Sequence, residues 1–303
     1  MDARFFNDAL GVTFDWYNRT TSDILTTANL PATLGADAPY ENMGTIQTKG
    51  WELAIDYRHT FKNGLHFGVT ASVADDKTEV TKWTYNTKIP SYGATGWWDK
   101  SAYKEGMVLG DIWGLQFDRF LTEDDFNADG SLKAGLPDQT KVFPAGYQFA
   151  PGDVLYKDLD NNGEIVKQTN TNDKGDLSVI GNALPRLQFG LNLDAAWKGF
   201  DISMFFQGVA KRKLWAAGNQ VLPGFTTGEP FYKGAEDYWT PENTDAFYPR
   251  PMDYKQSASG NYSVNDRYLL NMAYLRLKTF TVGYSLPKVW LSKFKVQGLR
   301  VYF

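Results

Sequence analysis

The chain has 303 residues, a formal net charge of -4 and no cysteine. The acidic balance gives no basic footprint, which excludes nucleic acid as an expected partner. Without cysteine, neither a disulfide framework nor a thiolate metal site is available, and two histidines leave little room for a histidine-based cluster. Aromatic residues make up 16% of the chain, and many are Trp or Tyr, which favour boundaries between apolar and wet environments.

Three runs in the first quarter of the chain alternate apolar and polar residues with a period of two. This period predicts strands that have one apolar and one polar face. The runs cover residues 11–19, 50–59 and 65–73. The segment Lys62-Asn63-Gly64 separates the last two runs, and a short turn that contains Gly predicts a β-hairpin there.

Regular alternation then stops, and residues 81–185 are rich in Gly, Pro, Asp, Asn and aromatic residues. An irregular stretch of this length is far beyond an ordinary connection, so we expect it to be functional or to contain small elements of its own. A second long connection covers residues 212–271, and a polar loop covers about residues 20–45.

Two alternating arms, residues 186–197 and 200–211, are joined by Lys198-Gly199, which predicts a second tight hairpin. A last hairpin is predicted over residues 273–303, with its turn around Pro287. Its first arm changes phase near Lys278, which predicts a β-bulge. About seven strands are therefore predicted, joined alternately by short turns and very long loops.

Short turns at one end and long loops at the other are typical of outer-membrane barrels. The strands of such barrels are only half apolar, so a mean hydropathy of -0.42 does not exclude a membrane protein. We therefore predict an all-β fold, part of a larger antiparallel transmembrane β-barrel with short periplasmic turns and long extracellular loops. The charged and polar face would line the lumen through Asp15, Glu52, Asp56, Arg58, Asn192, Asp194 and Asp201. The alternative is a soluble β-sheet protein whose polar face meets solvent.

Two segments have the pattern of a calcium-binding loop, in which oxygen ligands at alternate positions surround a hard cation. The first offers Asp158, Asp160 and Asn162, and the second offers Asp125, Asn127 and Asp129. Position twelve, where such loops carry a bidentate Glu, is occupied by Thr169 in the first segment and by Leu136 in the second. The alternative for both segments is an Asx-type turn, in which the side chains bond the local backbone.

Several aromatic residues of the predicted loops are candidates for stacking on sugar rings or packing on a partner. They are Tyr92, Trp97, Trp98, Tyr103, Trp215 and Trp239. Alternatively, they pack the loops against one another or belong to an interfacial aromatic belt. Carboxylates are plentiful enough for a glycosidase pair, but the sequence has no nucleophile motif, phosphate loop or dinucleotide fingerprint, so no catalytic site is predicted.

Several phrases, in order over nearly the whole chain, resemble one known family. Asn42-Met-Gly-Thr-Ile-Gln-Thr-Lys-Gly-Trp-Glu-Leu53 is similar to that family's entry into a barrel strand. The other phrases are the segment from Pro151-Gly-Asp153 to Ile165, then Ile180 to Arg186, Trp197 to Asp201 with Phe206-Gln-Gly208, Tyr238-Trp-Thr-Pro-Glu-Asn243 with Tyr248-Pro-Arg250, and Tyr274 to Lys278 with Gly283 to Pro287. Together they resemble the SusC/RagA-type TonB-dependent outer-membrane transporters of Bacteroidetes-like bacteria.

The resemblance implies a barrel in the class of roughly 22 strands with a plugged lumen, in the outer membrane of a Gram-negative bacterium. It implies import of oligosaccharides or peptides with a SusD-like surface lipoprotein, energised by the TonB–ExbB–ExbD system. The chain would be part of one barrel domain without the plug or the closing strands, so no TonB contact is assigned to its residues. Asn162 replaces a carboxylate of the family's loop pattern, which argues against a bound calcium ion. The competing class is a soluble β-rich carbohydrate-binding or glycan-cleaving module.

Overall fold

The computed structural model describes residues 1–27, 39–84, 104–167, 173–216, 218, 221–223, 232–252 and 260–303. Within these residues one antiparallel sheet of eight strands is the largest element. Its strands, in order, are β1 (Asp2–Phe5), β2 (Leu10–Thr27), β3 (Tyr40–Thr60), β4 (His66–Trp83), β9 (Arg186–Trp197), β10 (Phe200–Lys211), β13 (Tyr274–Ser285) and β14 (Arg300–Tyr302). In this described part of the chain β1 and β14 are the two edges and do not pair with each other, so the sheet is open.

Three small strand pairs lie within the long connections. They are β5 (Asp111–Gly114) with β8 (Ser178–Asn182), β6 (Phe117–Phe120) with β7 (Val154–Tyr156), and β11 (Lys213–Leu214) with β12 (Leu270–Asn271). In the described part of the chain the helical elements are α1 (Lys288–Leu291) and three 3-10 turns at Glu123–Asp125, Lys233–Ala235 and Ser292–Phe294. The expectation that the irregular stretch contains small elements of its own is therefore confirmed. Among the described residues, no helix has the length and apolar character needed to cross a membrane.

Both tight hairpins form where the sequence predicts them. Lys198 and Gly199 have φ angles of 49° and 90°, and two positive φ values are characteristic of a type I′ turn, whose twist suits the flanking strands. At the other hairpin, the Phe61 N–H donates to the Leu65 carbonyl (2.8 Å), and Gly64 adopts a φ of 81°. Short connections therefore join β3 to β4 and β9 to β10 at the same end of the sheet.

The predicted phase change in the last long strand is a β-bulge. The pairing of β13 with β10 shifts between Phe205 and Phe206, and Lys278 is left as the extra residue on β13. Because of this shift, Phe280 and Leu277 project from the same side of the sheet although they are three positions apart. The bulge keeps the apolar residues of β13 together on one face.

Three boundaries differ from the prediction. β2 extends to Thr27 and β3 begins at Tyr40, so the two strands occupy much of the predicted 20–45 loop. β1 is an eighth strand, and its four residues are too few to show an alternating pattern. The last connection is a segment of residues 286–299, and the predicted turn around Pro287 is not formed. Pro287 instead precedes the first turn of α1, because its fixed φ suits a helix start.

One face of the sheet is apolar and exposed. Phe14, Trp16, Phe200, Leu275 and Val301 each leave between 41% and 64% of their surface accessible. A continuous apolar surface of this kind is rare on soluble monomers and marks contact with a membrane or another protein. The backbone hydrogen bonds of the antiparallel strands are made laterally, so this face has the properties of a lipid-facing barrel wall.

On the polar face, an ion pair reaches over a glycine of the intervening strand. Arg4 of β1 and Asp56 of β3 both pair with Gly11 of β2, and Arg4 Nη1 lies 2.7 Å from Asp56 Oδ2. A Cβ atom at Gly11 would lie 2.3 Å from each of these two side chains. Glycine at this position therefore permits a direct contact between side chains that are two strands apart.

Gly208 of β10 provides a test of strand packing. A Cβ atom there would lie 2.2 Å from the Phe189 ring and 2.6 Å from the backbone oxygen of Tyr274. Because backbone cannot move aside as a flexible side chain does, we expect Gly208→Ala to destabilise the protein by about 1–3 kcal/mol. Thermal unfolding of the purified protein in detergent measures this, with Gly234→Ala, whose Cβ meets open space, as the control. Equal midpoints for the two variants would contradict the expectation.

Candidate functional site

The two long connections fold into compact cores. The larger core includes Leu115, Val154, Tyr156, Trp239 and Ala246. The second core contains Ile112, Ala183, Trp215, Leu222, Tyr262 and Tyr268. Each core takes residues from both connections, so the described residues of 104–185 and 212–271 form one packed unit, which we call the loop cap. It lies at the end of the sheet opposite the tight hairpins, because antiparallel strands place these connections there.

A buried carboxylate joins the two halves of the loop cap. Asp153 is fully buried and accepts a hydrogen bond from Arg250 Nε at 2.8 Å. It also accepts from the Tyr147 hydroxyl (2.8 Å), the Asn261 side-chain amide (3.0 Å) and the Ala150 backbone N–H (2.9 Å). A buried charge is tolerated only when it is paired and hydrogen-bonded. Because Arg250 and Asn261 belong to the second connection, the first connection depends on the second to satisfy this charge.

The same network sets the protonation of its donors. Burial, together with the charge of Asp153, raises the pKa of the Tyr147 hydroxyl well above its ordinary value, so this group remains a donor. Burial is the largest single influence on the pKa of the Arg250 guanidinium and acts to lower it, but the hydrogen bond to Asp153, the charge of Asp153 and the contact with Tyr147 together outweigh burial, so the net change is upward. Both donors therefore stay protonated wherever the protein is folded at ordinary pH.

Three of the phrases noted in the sequence meet at this junction. Gly152 has a φ of 90°, a backbone conformation that favours glycine. A Cβ atom at Gly152 would lie 2.5 Å from the Trp239 ring and 2.9 Å from Arg250 Cβ, and the Arg250 N–H donates to the Gly152 carbonyl (3.0 Å). The segments around Asp153, Trp239 and Arg250 are thus far apart in sequence but pack as one site.

A second cation lies between aromatic rings of both connections. The guanidinium carbon of Arg267 is 4.3 Å from the ring centre of Phe117, 5.0 Å from that of Phe120 and 5.4 Å from that of Phe247. Arg267 also donates to the backbone carbonyls of Ala246 (2.7 Å) and Phe247 (2.8 Å). Cation–π contacts of this kind add to the packing of the loop cap.

The predicted contact aromatics divide into two groups. Tyr92, Trp97, Trp98 and Tyr103 lie outside the described residues. Trp215 and Trp239 lie in the two cores of the loop cap, and each is only 7% exposed. The prediction that these two rings contact a ligand or partner is therefore corrected. They pack the loops against one another, which was the alternative interpretation.

An exposed aromatic surface of the loop cap lies elsewhere. A cavity of about 330 Å³ is lined by Tyr232, Tyr238, Tyr248, Tyr262, Pro223, Pro249 and Pro251, with Lys233 and Glu236 also contributing. Tyr232 and Tyr238 leave 46% and 40% of their surface accessible. The sequence analysis missed this cavity because its residues are dispersed and come together only through tertiary packing.

The first acidic loop brings a different third carboxylate into place. Carboxylate oxygens of Asp158, Asp160 and Asp176 lie within 4.8 Å of one another. Asp176 is the third carboxylate of this group, while the amide oxygen of Asn162 accepts from the Glu164 N–H (2.7 Å). Sequence spacing did not indicate Asp176 because it lies outside the loop pattern and approaches only through folding.

Backbone bonds already use part of this acidic group. Asp158 accepts from the N–H groups of Gly163 (2.8 Å) and Asn161 (2.7 Å), and the bond from Gly163 contributes most to lowering the pKa of Asp158. Loss of hydration raises the pKa of Asp160, and the neighbouring Asp158 adds to the rise. These bonds form the Asx-type turn that was the alternative reading. Calcium at this loop stays a prediction.

In the second acidic loop the first predicted ligand is paired with a cation of the protein. Asp125 accepts two bonds from Arg119 (2.6 and 2.7 Å) and one from the Thr122 N–H (2.7 Å). The contact with Arg119 lowers the pKa of Asp125 to about 2. A guanidinium at this distance opposes a bound cation. The predicted calcium set of Asp125, Asn127 and Asp129 is therefore corrected, because its first member serves as an ion-pair partner.

The residues predicted to line a lumen share the polar face of the main sheet. Strand register places all seven there, namely Asp15, Glu52, Asp56, Arg58, Asn192, Asp194 and Asp201. A cavity of about 430 Å³ opens on this face beside Asp15, Glu52 and Gln188. The face carries cross-strand ion pairs as well, such as Arg300 Nε to Asp201 Oδ1 at 3.0 Å.

Along its whole length the chain is similar to TonB-dependent receptors. It is 26% identical over 311 residues to TonB-dependent receptor P3 of Formosa agariphila, covering 100% of this chain and 28% of that protein. It is 21% identical over 311 residues to TonB-dependent receptor SusC of Bacteroides thetaiotaomicron, covering 100% of this chain and 27% of that protein. The chain thus spans little more than a quarter of the length of these relatives. No family model matches it.

The fold is similar to that of a solved transporter. The match to the RagAB peptide transporter has a TM-score of 0.69 and 19% identity, and covers 99% of this chain and 29% of that chain. The RagAB peptide importer in its open-open state matches with a TM-score of 0.66 and 18% identity, over 99% of this chain and 29% of that one. At this identity the likeness shows the fold, which is that of part of a barrel wall with its loops.

An exposed apolar face, a polar face behind it, tight turns at one end and a folded loop cap at the other define part of an outer-membrane barrel. Over its whole length the chain is similar to part of the TonB-dependent receptors, SusC among them, and its fold is similar to part of the RagAB peptide transporter. The relatives that it matches are receptors and transporters rather than enzymes.

Removing Arg250 tests the junction of the loop cap. Arg250→Met leaves the carboxylate of Asp153 buried without its cation, so we expect a loss of about 3 kcal/mol in the stability of the loop cap. Proteolysis of the loops in the detergent-solubilised receptor measures this. The matched control is Lys141→Met, which breaks the exposed pair with Glu164 and should change the cleavage rate little. Equal cleavage rates for the two variants would show that the junction does not hold the loops together.

The pair of Arg119 with Asp125 makes a prediction about pH. Its carboxyl pKa falls from the ordinary 3.8 to about 2 in the folded protein, so the pair stabilises above pH 4 and is lost as the pH falls towards 2. We expect Asp125→Asn to lower the unfolding temperature of the receptor at neutral pH, and the difference from the wild type to vanish near pH 2. A difference that is independent of pH would exclude this ion pair as its cause.

Proposed function

We propose that the whole protein imports oligosaccharides or peptides through the outer membrane, together with a SusD-like surface lipoprotein and with energy supplied through TonB. The observation that carries the proposal is the similarity of the entire chain to receptors of this class. The name of one solved relative describes a peptide transporter, which supports import as the activity of the class. The mechanism would be binding and gated passage without covalent chemistry on the substrate.

The architecture of the described residues supports this assignment. The apolar face is exposed across β2, β10, β13 and β14, as contact with lipid requires. The polar face offers carboxylates and amides, which suit hydrogen bonding to a hydrophilic solute during passage. Because the loop cap is packed around two cores and a buried ion pair, it presents a preorganised surface to a ligand or a lid protein.

Within this proposal, the aromatic residues Tyr92, Trp97, Trp98 and Tyr103 contact the substrate or the lipoprotein. Rings of this kind supply a large contact area at low entropic cost and stack on the apolar faces of sugars. Asp15, Glu52 and the other acidic or amide residues of the polar face would line the passage.

Uptake by the bacterium tests the whole proposal. Deletion of the receptor gene is expected to abolish growth on the imported glycan or peptide, and the wild-type gene should restore it. Trp97→Ala with Trp98→Ala should weaken ligand or lipoprotein binding by about tenfold, since one large aromatic contact contributes roughly 1–2 kcal/mol. Trp16→Ala, on the apolar face, is the matched control. Unchanged affinity for both ligand and lipoprotein would remove Trp97 and Trp98 from the site.

Circular dichroism of this chain in buffer and in lipid vesicles separates the transporter from the soluble alternative. A sheet whose apolar face needs lipid should show strand signal only with vesicles, or should aggregate. A cooperative melt in plain buffer would favour a soluble carbohydrate-binding or glycan-cleaving module instead.

A further inference from the structure

The end of the sheet with short connections carries a concentrated positive charge. Its four connections are residues 6–9, 61–65, 198–199 and 286–299, which we call the turn rim. The turn rim contains five lysines, namely Lys62, Lys198, Lys288, Lys293 and Lys295, and a single acidic residue, Asp8. The chain as a whole is acidic, with a net charge of -4, so this positive charge is local.

The lysines of the turn rim are not neutralised by carboxylates in the part of the chain that the structure describes. All five are exposed, and none forms an ion pair with another described residue. Two acidic residues near these strand ends, Asp201 and Asp194, lie on the polar face and already have partners. Asp201 accepts a hydrogen bond from Arg300, and Asp194 Oδ2 lies 3.6 Å from His66 Nε2. The lysine charges are therefore available to an external anion.

Apolar residues accompany these charges. Phe6, Phe61, Val289 and Trp290 expose 77%, 47%, 73% and 58% of their surface. They lie in the connections that join the strands at this end of the sheet. A surface that combines exposed aromatic rings with lysines has the composition of a membrane–water interface.

One contact shows on which side of the sheet a lysine charge lies. The ammonium of Lys198 lies 4.5 Å from the ring centre of Trp197. Trp197 belongs to the apolar face and is paired with Phe200, whose ring in turn contacts Tyr284 at 4.5 Å. The Lys198 charge therefore stands over the lipid-facing aromatic residues and away from the polar face.

The connection between β13 and β14 is the largest part of the turn rim. The tight turn at Lys198-Gly199 shows that two residues suffice to reverse the chain at this end, whereas residues 286–299 insert α1. Leu291 is buried, while Val289 and Trp290 of the same helix are exposed. Lys288, Lys293 and Lys295 flank these apolar side chains, and the segment has no acidic residue.

We propose that the turn rim binds the headgroups of anionic phospholipids in the periplasmic leaflet, with residues 286–299 as its principal anchor. Short turns face the periplasm in barrels of this kind, which places the lysines beside phospholipid headgroups. Trp290 and Val289 enter the region between headgroups and acyl chains, and the lysines pair with the phosphates. The proposal concerns membrane lipid and is independent of which solute is transported.

Lipid retention by the purified receptor tests the proposal. The receptor is placed in nanodiscs of equal amounts of phosphatidylglycerol and phosphatidylcholine, and the retained lipids are counted by native mass spectrometry. The variant is Lys288→Gln with Lys293→Gln and Lys295→Gln. The matched control removes the same charge from the loop cap through Lys133→Gln, Lys157→Gln and Lys174→Gln. We expect the rim variant alone to bind phosphatidylglycerol roughly a hundredfold more weakly, because each of the three lysines near an anionic surface contributes roughly fivefold.

A second measurement needs no variant. Retained phosphatidylglycerol should decrease as the salt concentration is raised, because salt screens exposed charges, while phosphatidylcholine should not. Equal retention by the wild type and the rim variant, an equal loss in the loop-cap control, or retention that salt does not change would overturn the proposal. A rim variant that loses a periplasmic protein partner while it keeps phosphatidylglycerol would assign the surface to a protein instead.

Discussion

The buried carboxylate of Asp153 is the constraint on which the loop cap depends. Its charge is removed from water, so it must be neutralised inside the protein. The neutralising guanidinium is that of Arg250, 97 residues away along the chain. Neither long connection can complete its core without the other, because one supplies the charge and the other supplies its cation. The packing of Gly152 against Trp239 places the backbone so that this pair can form.

Two different sets of forces hold the two parts of the chain. The main sheet is held by backbone hydrogen bonds between neighbouring strands, and its apolar side chains remain exposed for contact with lipid. The loop cap has buried cores, like a small water-soluble domain. The proposed transport across the outer membrane would use both properties, since a barrel wall must be stable in lipid while its mouth must keep a defined shape in water. The aromatic and lysine-rich turn rim lies at the opposite end of the sheet.

Local patterns predicted the sheet well. Alternation located β2, β3, β4, β9, β10 and β13, and the phase change at Lys278 indicated the bulge. These predictions succeed because a strand with lipid on one side and polar surroundings on the other must alternate residue by residue. The prediction failed for β1, whose four residues are too few to show a period, and at Pro287, which suits a helix start as well as a turn.

The sequence by itself determined the strands, the tight turns, the two faces of the sheet and the resemblance to a transporter family, because each of these depends on residues that are close together in the chain. Only the tertiary structure decided the roles of Trp215, Trp239, Asp125 and Asp176. The two tryptophans are buried in the cores, Arg119 forms an ion pair with Asp125, and folding brings Asp176 close to Asp158. Such roles depend on which distant groups meet, and the spacing of residues along one chain does not contain that information.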